Sequence, residues 1–151
     1  MKLGFIGTGN MASAIMGGII KNQIIPANDN IRTIDNFMVV SSYLNFELLF
    51  YTLASSFHDI CSDNIICRDD LIIITIAPGK TLAWLKEQFG KNVKIVRTMP
   101  NTPALVGAGM TAACPNEYMT KEEIAYVLTL LESFGRVEII PERLMDTVVS
   151  E

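Results

Sequence analysis

Runs of apolar residues alternate with stretches of helical spacing over most of the chain, and this alternation predicts strands and helices in turn. The apolar runs are too short for buried helices and are typical of strands buried on both faces. Predicted strands are residues 2–6, 71–76, 93–96, 110–114 and 137–140. Helices are predicted at residues 10–22 and 80–89, from Thr120 to a stop at Gly135, and from Glu142 onward.

Local signals support the ends of these helices. Thr120 with Glu123 three residues later forms a capping box, and Gly90 follows the helix at 80–89 as a typical C-terminal stop. Inside the first helix, Gly17 and Gly18 predict a close approach of that helix to the sheet.

Residues 31–68 give a poor pattern. Ile31–Ile34 could form a second strand, whereas helix and strand compete over residues 37–57. The chain as a whole is still predicted to be an α/β fold: a doubly wound, mostly parallel, Rossmann-like sheet with an irregular middle segment.

Composition agrees with a single compact domain and excludes several functions. Half of the 151 residues are hydrophobic and 19% are charged, which suits buried strands. The net charge of −4 and the lack of a Lys/Arg cluster argue against nucleic-acid binding. No apolar run has membrane-spanning length, and three cysteines without a CxxC pair suggest reduced thiols in a cytoplasmic protein.

The first candidate for chemistry is Gly7-x-Gly9-x-x-Ala12, between the first strand and the first helix. Gly7 permits the tight turn, Gly9 leaves room for a pyrophosphate, and Ala12 lets the helix pack near the strand. The helix then presents free N–H groups to the phosphates. Because this pattern lies between a strand and a helix, it predicts a dinucleotide-binding site rather than an ordinary turn.

A second candidate is the segment 99–103, Met-Pro-Asn-Thr-Pro, after the strand at 93–96. Two prolines predict a rigid loop, and its place at the carboxyl end of a strand would let it reach a bound cofactor. Taken alone, it is better explained as a proline-stiffened turn.

Together the two motifs resemble those of pyrroline-5-carboxylate reductases. The resemblance covers residues 1 to about 30 and about 70 to 150, and is carried by Gly4-Phe5-Ile6-Gly7-Thr8-Gly9-Asn10-Met11 and Val96-Arg97-Thr98-Met99-Pro100-Asn101-Thr102-Pro103-Ala104. It implies NADPH-dependent reduction of 1-pyrroline-5-carboxylate to proline, in proline biosynthesis, with NADH possible. It also implies a homo-oligomer.

The resemblance further implies a set of cofactor-binding positions and no assignable catalytic side chain. Residues at the first motif would hold the pyrophosphate: Gly7, Thr8, Gly9, Asn10 and Met11, with Ala12 behind them. Residues along the nicotinamide side would be Ala77, Met99, Pro100 and Asn101. Asp35, at the end of the possible second strand, would favour a free ribose hydroxyl and hence NADH, whereas Arg32 would suit a 2′-phosphate.

Two departures from the family lead to further expectations. Residues 31–68 do not show the family's second βαβ unit or its Lys-Pro pair. The family continues into a helical dimer domain, so we expect residues 1–151 to be a dinucleotide-binding domain, with the start of the helical domain at about 142–151 and the chain incomplete.

Two alternatives remain open. The chain could be a non-catalytic remnant that binds dinucleotide or nothing, or another NADP-dependent imine or 3-hydroxy-acid dehydrogenase. A metal site at His58, Cys61 and Cys67 is disfavoured, because the spacing fits no structural zinc pattern.

Overall fold

The computed structural model describes residues 3–6, 10–24, 31–34, 48–51, 70–76, 79–101, 103 and 107–148. The strands are β1 (Leu3–Ile6), β2 (Ile31–Ile34), β3 (Leu48–Tyr51), β4 (Ile72–Thr75), β5 (Lys94–Pro100), β6 (Gly109–Pro115) and β7 (Gly135–Ile139). The helices are α1 (Asn10–Lys21), α2 (Leu82–Phe89), α3 (Lys121–Leu131) and α4 (Glu142–Val148), and a 3-10 turn (Glu132–Phe134) follows α3.

These strands form one seven-stranded sheet in the order β2-β1-β3-β4-β5-β6-β7. All neighbouring strands run parallel except β5 and β6, which are antiparallel. The four residues of β4 are all buried, and so are residues 95–98 of β5, as expected of central strands covered on both faces.

Helices cover both faces of the sheet. Alternate residues of β4, β5 and β6 (Ile72, Ile74, Val96 and Ala113) share one core cluster with residues of α1 and α3. On the other face, Ala112 and Cys114 of β6 pack with Met145 of α4, and Leu82 of α2 joins them. The predicted doubly wound, mostly parallel α/β fold is therefore confirmed.

Most predicted elements are present, including the tentative strand Ile31–Ile34. The prediction missed β3, which lies in the segment where helix and strand competed. A short, continuous apolar run such as Leu-Leu-Phe-Tyr has no period that distinguishes a strand from a helix.

Two predicted boundaries are wrong. The strand expected to end at Val96 continues to Pro100, because β6 pairs with it through register partners such as Met99 with Ala112. The helix expected to run to Gly135 ends at Leu131 and passes into the 3-10 turn. Gly135 instead opens β7 with a φ of 149°, and a Cβ there would lie 2.0 Å from the Gly109 carbonyl oxygen.

Candidate functional site

The carboxyl ends of the five neighbouring parallel strands meet at one edge of the sheet, with Ile34, Ile6, Tyr51, Thr75 and Arg97 in one register row. β1 lies between β2 and β3, so the chain changes direction across the sheet at β1. Ligands of open α/β sheets bind at such a switch point. α1 begins at Asn10, four positions after β1 ends, and its first N–H groups, which have no partner within the helix, lie at this edge.

The first helical turn carries three of the predicted cofactor residues. Asn10 is exposed, Met11 is half-buried and Ala12 is fully buried in the core cluster with Leu3 and Ile15. Ala12 is therefore packed inside the core, as its predicted packing role requires. Gly7, Thr8 and Gly9 lie outside the described residues.

The end of β5 extends beyond its parallel neighbour β4. It runs three residues past Arg97, the register partner of Thr75, which corresponds to about 10 Å of extended chain. The buried Thr98 hydroxyl donates to the Thr75 carbonyl at 2.9 Å and ties this extension to β4. Met99 and Pro100, both half-buried, are thereby held beside the edge where α1 begins.

Asn101 continues the pairing of β5 with β6. Its backbone N–H donates to the Met110 carbonyl at 3.3 Å, and its side-chain Oδ1 accepts from the Met110 N–H at 2.9 Å. The expectation of a proline-stiffened loop from residue 99 is therefore wrong for Met99 and Pro100, which are strand residues. Their rigidity comes from the neighbouring strand as well as from proline.

The assignment of all these residues to a cofactor stays a prediction, and two more of them lie where the structure gives no description. Asp35 directly follows Ile34, the last residue of β2, and Ala77 follows β4 by two positions, but both lie outside the described residues. The preference between a free ribose hydroxyl and a 2′-phosphate stays open for the same reason.

Arg97 is a feature of this region to which the sequence reasoning assigned no role. Its side chain is 1% exposed, and its Nη1 lies 3.3 Å from Glu142 Oε1 and its Nη2 2.5 Å from Asp146 Oδ1. Glu142 Oε1 also accepts the N–H of Leu82, the first residue of α2, at 2.5 Å. An arginine within the apolar run of β5 was the available signal, but its partners are 45 and 49 positions away.

An apolar cluster of β6 and α4 residues lies on the same face of the sheet as this ion pair. Cys114 lies in the cluster with Met145, and its burial, with a smaller effect of Glu142, raises the pKa of the thiol. Within the described ranges, no group of three His, Cys, Asp or Glu residues is arranged to hold a metal ion. His58, Cys61 and Cys67 are outside those ranges. No helix of the described residues is long and apolar enough to cross a membrane.

Comparison with known proteins extends these observations. No family model matches the chain. The chain is 35% identical to the pyrroline-5-carboxylate reductase of Escherichia coli K12 over 169 aligned positions, which cover 98% of this chain. The chain is therefore similar in sequence to pyrroline-5-carboxylate reductases. It spans 62% of the length of that relative.

Solved structures of pyrroline-5-carboxylate reductases share this fold. The Coxiella burnetii reductase superposes with a TM-score of 0.86 at 24% identity, over 99% of this chain and 62% of that one. The Plasmodium falciparum pyrroline carboxylate reductase, solved with NADP bound, has a TM-score of 0.80 at 26% identity, over 99% of this chain and 61% of that one.

Proposed function

We propose that the chain takes part in the NADPH-dependent reduction of 1-pyrroline-5-carboxylate to proline, as an oxidoreductase of proline biosynthesis. The proposal rests on the 35% identity to the Escherichia coli reductase over 98% of the chain. That similarity favours this reaction over those of other imine or 3-hydroxy-acid dehydrogenases, because it includes both motifs at the carboxyl edge of the sheet.

The residues at this edge fit a dinucleotide. The first turn of α1 lies at the switch point, and the fully buried Ala12 allows the helix to sit close to the sheet. We assign Gly7, Thr8, Gly9, Asn10 and Met11 to the pyrophosphate. We assign Met99, Pro100 and Asn101, at the end of β5, to the nicotinamide side, together with Ala77. When bound, the reduced nicotinamide supplies a hydride to the imine carbon.

The contribution of the chain's own residues is to bind and orient. Pairing of Asn101 with Met110 and of Thr98 with Thr75 holds the end of β5 in one geometry. Because this edge is already ordered, less conformational entropy is lost when cofactor and substrate bind side by side. Holding two reactants in the correct geometry is a major contribution to catalysis. NADPH is the proposed cofactor, since the Plasmodium falciparum relative is described with NADP bound. NADH is possible if Asp35 meets the ribose.

We place the protein in the cytoplasm as a homo-oligomer that acts on a small molecule. The location rests on its three cysteines without a CxxC pair, and the assembly on its family resemblance. Residues 1–151 would then form the dinucleotide-binding domain, with a helical domain beginning at about 142–151.

A fluorescence titration of the purified chain with NADPH, run beside NADH, tests the binding step. We expect saturable binding that Gly9→Ala weakens about tenfold, because a methyl group would meet the pyrophosphate. Gly17→Ala is the matched control, since a Cβ there has nothing within 4 Å and binding should be unchanged.

The outcomes separate the proposals. No saturation by either nucleotide, in a sample that unfolds cooperatively, would contradict the cofactor assignment. If NADPH binds, 1-pyrroline-5-carboxylate is added and proline is measured. Binding without proline formation would support the alternative of a non-catalytic dinucleotide-binding protein.

A further inference from the structure

The buried Arg97 is costly to the fold unless its charge is matched. Its side chain is 1% exposed, and a guanidinium removed from water requires close partners. Both partners are on α4, at positions 142 and 146, four residues apart and therefore on one helix face. α4 is thus held against β5 by a two-pronged ion pair.

The same turn of α4 contacts the proposed nicotinamide side. Met145 is fully buried next to Asp146 and packs with Ala112 and Cys114, and the side chain of Met99 packs against that cluster. Arg97 and Met99 are two positions apart on β5, so both side chains leave the same face of the sheet. The position of α4, which Arg97 fixes, therefore sets the surroundings of Met99.

Glu142 extends the link to a second segment. Its Oε1 accepts both from Arg97 and from the N–H of Leu82, where α2 begins. The segment between β4 and α2, which contains Ala77, is thereby anchored at its far end. One carboxylate thus connects both stretches of chain that the proposed function places beside the nicotinamide.

We propose that Arg97 is a positioning residue, which orients the nicotinamide half of the cofactor site through α4 without touching the cofactor. This inference rests on the proposed function. Its physical basis is that Arg97 holds the helix against which Met99 packs and the carboxylate that anchors α2. These contacts join β5, β6, α2 and α4, whereas the pyrophosphate and the adenosine would lie at the start of α1 and the end of β2.

The test compares two ligands in Arg97→Lys and Asp146→Asn. One ligand is NADPH and the other is 2′-phospho-ADP-ribose, which lacks the nicotinamide. We expect Asp146→Asn to raise the dissociation constant of NADPH severalfold and Arg97→Lys to raise it about tenfold, with fragment binding unchanged. In both variants, the fluorescence emission of bound NADPH should move toward that of the free cofactor. Since the Asp146 side chain is 65% exposed, its variant should remain folded even if Arg97→Lys does not.

A ligand-free measurement keeps this inference separate from the proposed function. With methyl-13C-methionine, the Met99 resonance should shift in both variants. Met119, in the core cluster on the other face, should not shift. A wild-type chain that binds neither ligand would contradict the proposed function, while the Met99 shift would still test the link through α4.

Two results would overturn the assignment of Arg97. One is an unchanged Met99 resonance. The other is an equal loss, or no loss, of NADPH and fragment affinity in folded variants, because a purely structural residue would affect both ligands alike.

Discussion

At the scale of single residues, the two adjacent glycines of α1 have different surroundings. A Cβ on Gly18 would lie 2.8 Å from the Ser133 carbonyl oxygen and 3.1 Å from the Phe134 Cβ, whereas a Cβ on Gly17 would meet nothing within 4 Å. Asn22 Nδ2 donates to the carbonyls of both Gly18 and Ser133, at 2.8 and 2.9 Å. The predicted close approach of these glycines to the sheet is therefore wrong, because Gly18 lies against the 3-10 turn after α3 and a Cβ on Gly17 would have no neighbour within 4 Å.

This difference predicts opposite effects of one substitution at neighbouring sites. Gly17→Ala should stabilise the chain by about 0.5–1 kcal/mol, because alanine costs less backbone entropy in a helix. Gly18→Ala should destabilise it by about 1 kcal/mol or more, because the backbone carbonyl of Ser133 must move. Urea unfolding of both variants measures the difference, and effects of the same sign would contradict the packing described here.

At the scale of elements, the capping box at the start of α3 also binds a residue that is distant in the sequence. The capping box is confirmed: Thr120 Oγ1 accepts the Glu123 N–H at 3.2 Å, and Glu123 Oε2 accepts the Thr120 N–H at 3.0 Å. Glu123 Oε1 also accepts from Lys94 Nζ of β5 at 2.5 Å. Burial acts to raise the pKa of Glu123, but the bonds from Lys94 and Thr120 outweigh it and lower that pKa below its ordinary value.

A lowered pKa makes the contribution of Glu123 depend on pH. Because the folded state favours the carboxylate, the stabilisation is fully present above the ordinary pKa of about 4.3 and is lost as the pH falls through the lowered folded value. Glu123→Gln should cost about 1 kcal/mol at pH 7, because it removes the charge that pairs with Lys94, while the amide oxygen can still accept the Thr120 N–H. The difference in unfolding free energy between the variant and the wild type should become smaller at acidic pH.

Urea unfolding at pH 7 and at about pH 3 would measure this change. Glu122→Gln, at an exposed position of the same helical turn, is the matched control and should leave the pH dependence as in the wild type. A stability difference for Glu123→Gln that stays constant with pH would contradict the assigned role of the carboxylate.

At the scale of the whole molecule, strand order brings two distant motifs to one edge. α1 begins at residue 10 and β5 ends at residue 100, yet both lie at the carboxyl edge of the parallel strands. A ligand that bridges these elements binds the folded chain and not the unfolded one. It must therefore raise the free energy of unfolding.

NADPH should accordingly raise the melting temperature of the chain in a concentration-dependent way. At a hundred times its dissociation constant, the expected gain in unfolding free energy is about 2.7 kcal/mol. Thermal unfolding with and without NADPH measures it, and Gly9→Ala should show a smaller shift at the same concentration. An equal shift in this variant would indicate binding elsewhere.

The local sequence pattern was sufficient to predict part of the secondary structure of this protein. Apolar runs and helical spacing predicted β1, α1, β4 and α2, because a strand buried on both faces and an amphipathic helix each follow from near neighbours in the chain. The capping box and the fingerprint around Ala12 are also local, since a turn or a cap is complete within a few residues.

The tertiary structure decided what depends on remote partners. β3 is a strand because β1 and β4 pair with it, and β5 reaches Pro100 because β6 supplies its hydrogen bonds. Arg97 could be understood only when α4 brought two carboxylates to it from 45 and 49 positions away. A buried charge is stable only beside its counter-charge, and the fold, not the spacing along the chain, brings the two together.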